Sequence, residues 1–372
     1  MLVGVPKEIK NHEYRVGMSP SSVRELVKHG HSVIVETNAG LGIGATDSDY
    51  QTAGASICDT AEEIFARAEM IVKVKEPQAG ERAMLREGQL LYTYLHLAPD
   101  PEQTKDLVAS GATCIAYETV TSPVGGLPLL APMSKVAGRM AVHAGAHCLE
   151  QPNGGLGMLL GGVPGVDPAK VVVLGAGVVG THAAHIAVGM GADVWVIDNN
   201  ANAIERHWSQ FGRSTNSVFS TVDALERHVL EADLVIGGVL IPGAEAPKLV
   251  TADMVKNMKP GAVIVDVAID QGGCCETSKA TTHADPTYIV DDVVHYCVAN
   301  MPGGVPRTST HALNNVTLPF AVQLANKGVK QALADDQHLR NGLNVHAGKI
   351  TCLEVAEDLG YEYVEAMTAL NG

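Results

Sequence analysis

Val171-Val-Val-Leu-Gly175-Ala-Gly177-Val-Val-Gly180, running on through Thr181-His-Ala-Ala-His-Ile-Ala-Val-Gly-Met-Gly191 to Ala192-Asp-Val-Trp-Val-Ile-Asp198, decides the reading of this chain. Val171 to Leu174 is a short apolar run rich in β-branched residues, which predicts a buried parallel strand. Gly175 makes the turn that follows, Gly177 lacks the Cβ that would keep a pyrophosphate off the backbone, and Gly180 lets the next helix pack close to the strand. The N-terminus of that helix offers N–H groups and a positive dipole end to phosphates. Val194 to Ile197 predicts the second strand. Asp198 ends it at the spacing where a carboxylate meets the ribose hydroxyls of NAD. A bare GxGxxG says little. Here the strand, the helix and the acid are all in place, so the stretch reads as a dinucleotide-binding βαβ unit and not as a glycine-rich turn without a ligand.

The rest of the composition suits that unit. At 372 residues the chain is long for one domain, and two are expected. It is 46% hydrophobic but only 4% aromatic, with 39 Gly, which fits tight helix–sheet packing in an α/β protein. A formal charge of −15 argues against nucleic acid or an anionic membrane as partner. No apolar run reaches the roughly 18–20 residues of a membrane span. Met1-Leu-Val-Gly-Val-Pro6 enters a strand at once and shows no signal-peptide pattern. The seven Cys are scattered, odd in number and without a CxxC pair, so buried thiols in a reducing, cytoplasmic compartment are expected. Cys274-Cys275 reads as two plain thiols, because adjacent cysteines bond only with strain.

Along the chain, Leu2 to Val5 predicts a strand, Ser19-Pro20 a helix start and Thr60-Ala-Glu-Glu63 a capping box. Ser32 to Glu36, Met70 to Lys75, Leu90 to Leu95 and Thr113 to Ala116 read as further strands, a βαβ series without a glycine fingerprint. Ser134 to Glu150 is helical in pattern. Gly161-Gly-Val-Pro-Gly165 reads as a turn or hairpin and lacks the Gly-Lys-Ser/Thr end of a phosphate loop. Beyond Asp198, strands are expected at Ser217 to Ser220, Leu234 to Ile236, Ala262 to Ala268, Ile289-Val290 and Tyr296 to Val298. A helical tail follows, which Pro319 should kink. The expected organisation is a discontinuous substrate domain, residues 1–128 and 306–372, around an NAD-binding domain, residues 129–305. Both would be α/β with parallel sheets built from βαβ units, and the active site would lie in the cleft between them.

Ligands of open parallel sheets bind beyond the carboxyl ends of the strands. The polar residues there are Arg15 after the first strand, Lys73 and Lys75 at the end of Met70 to Lys75, His96 after Leu90 to Leu95 and Asp270 after Val263 to Ile269. An arginine is usually exposed. Two lysines on one face of an otherwise apolar strand are costly unless the strand end is functional. For His96 a satisfied core position and a functional one stand about even. Asp270 could cap the loop that follows. His143/His147 and His182/His185 have helical spacing without an HExxH pattern and read as helix-face residues, so no metal is expected.

At this point the residues resemble a family. Val3-Gly-Val-Pro-Lys-Glu8 with Arg15, Val72-Lys-Val-Lys-Glu-Pro77, Leu95-His-Leu97, Tyr117-Glu-Thr119, Leu129-Leu-Ala-Pro-Met-Ser134, Asp266-Val-Ala-Ile-Asp-Gln-Gly-Gly273 and Tyr296-Cys-Val-Ala-Asn-Met-Pro302 are similar to bacterial alanine dehydrogenases, as is the chain over essentially its whole length. The resemblance implies NAD-dependent interconversion of L-alanine with pyruvate and ammonia, two Rossmann-type domains and, as is usual in the family, a homohexamer. It assigns substrate binding to Arg15 and Lys75 and catalysis to His96 and Asp270. Besides Gly175, Gly177 and Gly180 it places NAD against Ser134, Val178, Val179, Asp198, Ser220, Val239, Leu240, Val267, Ile269, Asp270, Val298, Asn300 and Met301. Relatives carry a basic residue shortly after the ribose aspartate, where this chain has Ala203. Two rivals are the soluble NAD(H)-binding domain of a proton-translocating transhydrogenase and a non-catalytic NAD-binding sensor. Saccharopine dehydrogenase is a more remote relative.

Overall fold

The β-branched runs become strands in a computed structural model that describes residues 1–239 and 246–371. In chain order the strands are β1 (Leu2–Val5), β2 (Ser32–Glu36), β3 (Ser56–Cys58), β4 (Met70–Val72), β5 (Leu90–Thr93), β6 (Thr113–Ala116), β7 (Lys170–Leu174), β8 (Asp193–Asp198), β9 (Asn216–Phe219), β10 (Leu234–Gly237), β11 (Val263–Asp266), β12 (Thr287–Val290), β13 (Val293–Tyr296), β14 (Leu343–His346) and β15 (Lys349–Ile350). The chain divides into two compact units, Met1–Met133 with Gly303–Gly372, and Ser134–Pro302.

The sheet of the first unit runs β3-β2-β1-β4-β5-β6-β14-β15, and that of the second β9-β8-β7-β10-β11-β13-β12. Both start near the middle, wind one way for two strands and then return to wind the other way. This is the doubly wound order, with its switch point between β1 and β4 in one sheet and between β7 and β10 in the other. The sheets are parallel except at their ends, where β12 pairs antiparallel with β13, and β14 with β6 and β15. Asp291 and Asp292 join β12 to β13 with φ of 47° and 60°, the left-handed pair that a two-residue hairpin demands.

Alternation along β7 feeds two cores. Val171 and Val173 pack with Ala183, Ala184 and Ala187 of the helix Val178–Gly189, whereas Val172 and Leu174 pack with Leu225, Val229 and Val255 from helices on the other face. In the first unit Ile34, Ile71 and Leu91 pack with Phe65 and Leu107. Ser19 caps the helix Pro20–Lys28 by accepting from the Ser22 N–H. Thr60 caps Ala61–Arg67, but Glu63 turns to Arg67 at 2.5 Å instead of closing the expected box. Val163 and Val166 bridge in a small hairpin.

The structure corrects two further expectations. β4 ends at Val72, so Lys73 and Lys75 lie beyond the strand. The strands expected at 289–290 and 296–298 form the hairpin of β12 and β13 just described, a few residues earlier. The helix Pro306–Asp335 carries Pro319 inside it and breaks at Gly328, at φ 71° and ψ 162°. That conformation is one glycine takes freely and other residues reach only with strain. Among the described residues no helix is long and apolar enough to cross a membrane, and all seven thiols are free and buried.

Candidate functional site

In the second unit the candidate cofactor residues gather at the carboxyl ends of the parallel strands: Gly175 to Gly180 after β7, Asp198 ending β8, Ser220 after β9, Val239 after β10, Val267 to Asp270 after β11, and Val298 to Met301 after β13. Ser134 lies in the helix Ala131–Cys148. Leu240 lies outside the described residues. The glycine turn has the three properties that its spacing predicts. Gly175 sits at φ +100°. A Cβ on Gly177 would meet no atom within 4 Å, whereas one on Gly180 would stand 1.8 Å from the Gly175 carbonyl oxygen. Asp198 Oδ2 accepts from the Ala176 N–H at 2.6 Å and Oδ1 from the Asn200 N–H at 2.7 Å. The acid thus holds the glycine turn and the start of the next helix together. Val178 is exposed, as a residue over an open cradle should be.

The loop that carries Asp270 is held by a different aspartate. Asp266 is fully buried. It accepts from the N–H groups of Ala268, Cys274 and Cys275 at 3.1, 2.9 and 3.2 Å and from the Ser278 hydroxyl at 2.6 Å. Asp266 is therefore the capping residue, and Asp270 is exposed in the short 3-10 turn Val267–Gln271.

In the first unit the switch point between β1 and β4 is packed with charge. Lys73 is fully buried and donates to Glu8 at 3.0 Å and to Glu81 at 2.7 Å. Burial alone would lower its pKa, but the two carboxylates outweigh that and raise it. The second oxygen of Glu8 accepts from the Val74 and Lys75 N–H groups at 2.6 and 3.4 Å. The Lys75 carbonyl accepts from the Thr93 hydroxyl at 3.0 Å. Lys75, half-buried, is thus held by its backbone on both sides. Lys10 and Glu76 pair beside it.

Arg15 is 2% exposed. Its Nε and one terminal nitrogen grip Glu13 at 2.6 and 2.5 Å, and the other terminal nitrogen meets the Met133 sulfur at 3.1 Å. Burial works against the charge, but the hydrogen bonds and charge of Glu13, with smaller contributions from Tyr94 and Glu8, more than offset it, so its pKa is raised. His96 follows β5 with φ +50°, and its side chain is 44% exposed, which removes the core reading. Its ring stacks on Tyr94 at 5.8 Å and 6°. Glu118 accepts from its N–H at 2.6 Å.

The chain matches the models of both halves of one family, "Alanine dehydrogenase/PNT, N-terminal domain" over residues 4–137 and "Alanine dehydrogenase/PNT, C-terminal domain" over residues 141–353. The chain belongs to the alanine dehydrogenase family. It is 61% identical over 370 residues to an alanine dehydrogenase of Halomonas elongata, with all of both chains covered. It is 56% identical over 371 residues to that of Bacillus subtilis, covering 100% of this chain and 98% of the other. Among solved structures it is similar to an L-alanine dehydrogenase, with TM-score 0.94 and 54% identity over 97% of this chain and 99% of that one. A transhydrogenase from Sinorhizobium meliloti shares the fold at TM-score 0.82 and 28% identity, over 94% and 100% of the two chains.

Against this family background, Ala203 is 5% exposed, packed into the helix that follows β8. The residues that sequence reasoning missed are acids: Glu8, Glu13 and Glu118. Each stands beyond a strand end, as the named cations do. Glu118 even lies in Tyr117-Glu-Thr119, one of the segments that carry the family resemblance. Strand-end position was the signal.

Proposed function

We propose that this chain is an NAD-dependent L-alanine dehydrogenase, interconverting L-alanine with pyruvate and ammonia. The observation that carries the reading is placement. Arg15, Lys75, His96 and Asp270 each follow the carboxyl end of a strand, β1, β4, β5 and β11, where open α/β sheets bind ligands. Full-length similarity to proteins named alanine dehydrogenase supports the choice of substrate.

The glycine turn fits a dinucleotide. The space over Gly177 is clear of protein atoms, the helix N-terminus behind it favours a pyrophosphate, and Asp198 is held where ribose hydroxyls would meet it. Ser134, Ser220, Val239, Leu240, Val267, Ile269, Val298, Asn300 and Met301 are assigned to the rest of the cofactor. When bound, NAD supplies the acceptor for the hydride that leaves the alanine Cα.

Arg15 is assigned to the substrate carboxylate. Glu13 takes one edge of its fork, and a carboxylate replacing the weak thioether acceptor of Met133 on the other would gain a charge-assisted bond. Lys75 is assigned to the substrate oxygen, where a cation favours the carbinolamine as it forms. In deamination His96 takes the proton of the water that adds to the imine. In amination it returns that proton to the departing hydroxyl. Asp270 holds the ammonium or orients that water. In sum, alanine, NAD⁺ and water give pyruvate, ammonium, NADH and a proton. The same family likeness is the support for a homohexamer in the cytoplasm.

The test is NADH absorbance with NAD and a panel of L-amino acids. L-Alanine should give the highest kcat/KM. NADH binding without turnover of any amino acid would leave a binding protein and overturn the reading.

A further inference from the structure

We propose that Glu118 is the positioning residue of His96, a carboxylate that sets both the backbone and the ring of the proton carrier. The inference rests on the reading of His96 as that carrier.

The sheet brings the two together. β5 and β6 pair in parallel with Thr93 opposite Ala116, so Tyr94 to His96 and Tyr117 to Glu118 leave the sheet side by side. His96 has a left-handed backbone, φ +50°, which a residue with a Cβ holds only when its surroundings impose it. Glu118 is the group that imposes it. Its Oε1 accepts from the His96 N–H at 2.6 Å, and its two oxygens share the Leu95 N–H at 3.1 and 3.2 Å. The same Oε1 lies 3.9 Å from His96 Nδ1. The carboxylate therefore faces one ring nitrogen, and Nε2 is the nitrogen left to exchange protons with substrate.

The other side of the ring is set by the residue before Glu118. Tyr94, on which His96 stacks, packs edge-on against Tyr117 at 5.0 Å and 81°. Hydroxyls anchor both platforms, Tyr94 to the Leu129 carbonyl at 2.6 Å and Tyr117 to the Lys73 carbonyl at 3.0 Å. Tyr117 thus props the platform and Glu118 clamps the ring's backbone. The carboxylate itself is 13% exposed beside an imidazole that is 44% exposed. A half-exposed histidine on a strand end otherwise samples several rotamers, and a misplacement of about 1 Å can cost about 10²-fold in rate.

The experiment is a double-mutant cycle on the full-length enzyme with Glu118→Gln and His96→Ala, reading kcat, KM for L-alanine, NADH affinity and Tm. Glu118→Gln should lower kcat by about 10²-fold with NADH affinity and KM unchanged, and should add no further loss in the His96→Ala background, since its effect passes through the imidazole. An unchanged kcat, or an equal loss with and without His96, would overturn the proposal. So would a kcat that falls only in step with Tm. If the glutamine variant does not fold, Glu118→Asp serves the same cycle. One methylene shorter, it cannot hold the two N–H groups and face the ring together, and its loss must also vanish without His96. Near-normal turnover in His96→Ala alone would instead remove the proton-carrier reading, and with it this inference. A crippled His96→Ala with additive Glu118 losses removes the inference only.

Discussion

Asp198 gives both carboxylate oxygens to backbone N–H groups, of Ala176 and Asn200, so its charge cannot swing aside for a second anion. Asn199-Asn200-Ala201-Asn202-Ala203 offers no cation to a 2′-phosphate. NAD should therefore be strongly preferred over NADP, and Asp198→Ala should narrow the ratio of the two kcat/KM values while raising KM for NAD, because the turn loses its tie. Equal efficiency with both cofactors in the parent enzyme would count against the assignment. Arg15 calls for a different substitution. It is buried on Glu13, and removing one partner of a buried pair costs about 3–5 kcal/mol of stability, so Arg15→Ala would confuse folding with binding. Arg15→Lys keeps the charge and loses the fork. It should raise KM for pyruvate, up to the equivalent of about 2–5 kcal/mol, with little change in Tm. Activity that drops only alongside Tm would assign Arg15 to the fold.

At the scale of the element, the strand–turn–helix of residues 170–189 separates packing from binding within four residues. Gly180→Ala must push its Cβ off the Gly175 carbonyl oxygen, 1.8 Å away. Overpacking of this kind typically costs about 1–3 kcal/mol, so both Tm and NADH affinity should fall. Gly177→Ala meets no protein atom within 4 Å and should leave Tm alone, yet weaken NADH if the pyrophosphate packs there. Thermal melts and NADH fluorescence titration on the two variants give the comparison. A Gly177→Ala protein with parental NADH affinity would move the phosphates elsewhere.

For the whole molecule, several histidines make acid stability predictable. Burial lowers the pKa of His207 and, against some help from the Val293 carbonyl and Asp266, that of His295, from an ordinary 6.5. His295 Nδ1 donates to the Val293 carbonyl at 2.9 Å, and in the neutral ring that burial favours Nε2 accepts from the Thr277 hydroxyl at 2.7 Å. A depressed histidine pKa means that, below the ordinary value, the unfolded chain binds a proton which the folded one declines. Stability is then level above about pH 7 and falls as pH drops through about 6.5 toward the folded pKa. Thermal melts from about pH 8 to about pH 5 should show that decline, and His295→Asn should flatten it. A Tm independent of pH across that range would show that these rings take up protons in place.

What the sequence by itself determined was local. The glycine turn, the acid at the end of β8 and the Ser19-Pro20 cap are legible because each is made by residues within about one βαβ unit, where spacing alone sets the geometry. The family likeness rests on segments of that kind. Tertiary structure decided the rest, through partners brought together by sheet order. Lys73 and Lys75 look alike in sequence; only the pairing of β1 with β4 gives Lys73 to Glu8, 65 residues away, as a buried ion pair. His96 could be a core residue from its sequence; tertiary structure leaves its side chain exposed, and the register of β5 and β6 sets Glu118 against its backbone N–H. The tail breaks at Gly328 and not at Pro319, because an intact helix can absorb one missing N–H, whereas a left-handed, extended residue ends the helical path whatever its neighbours prefer.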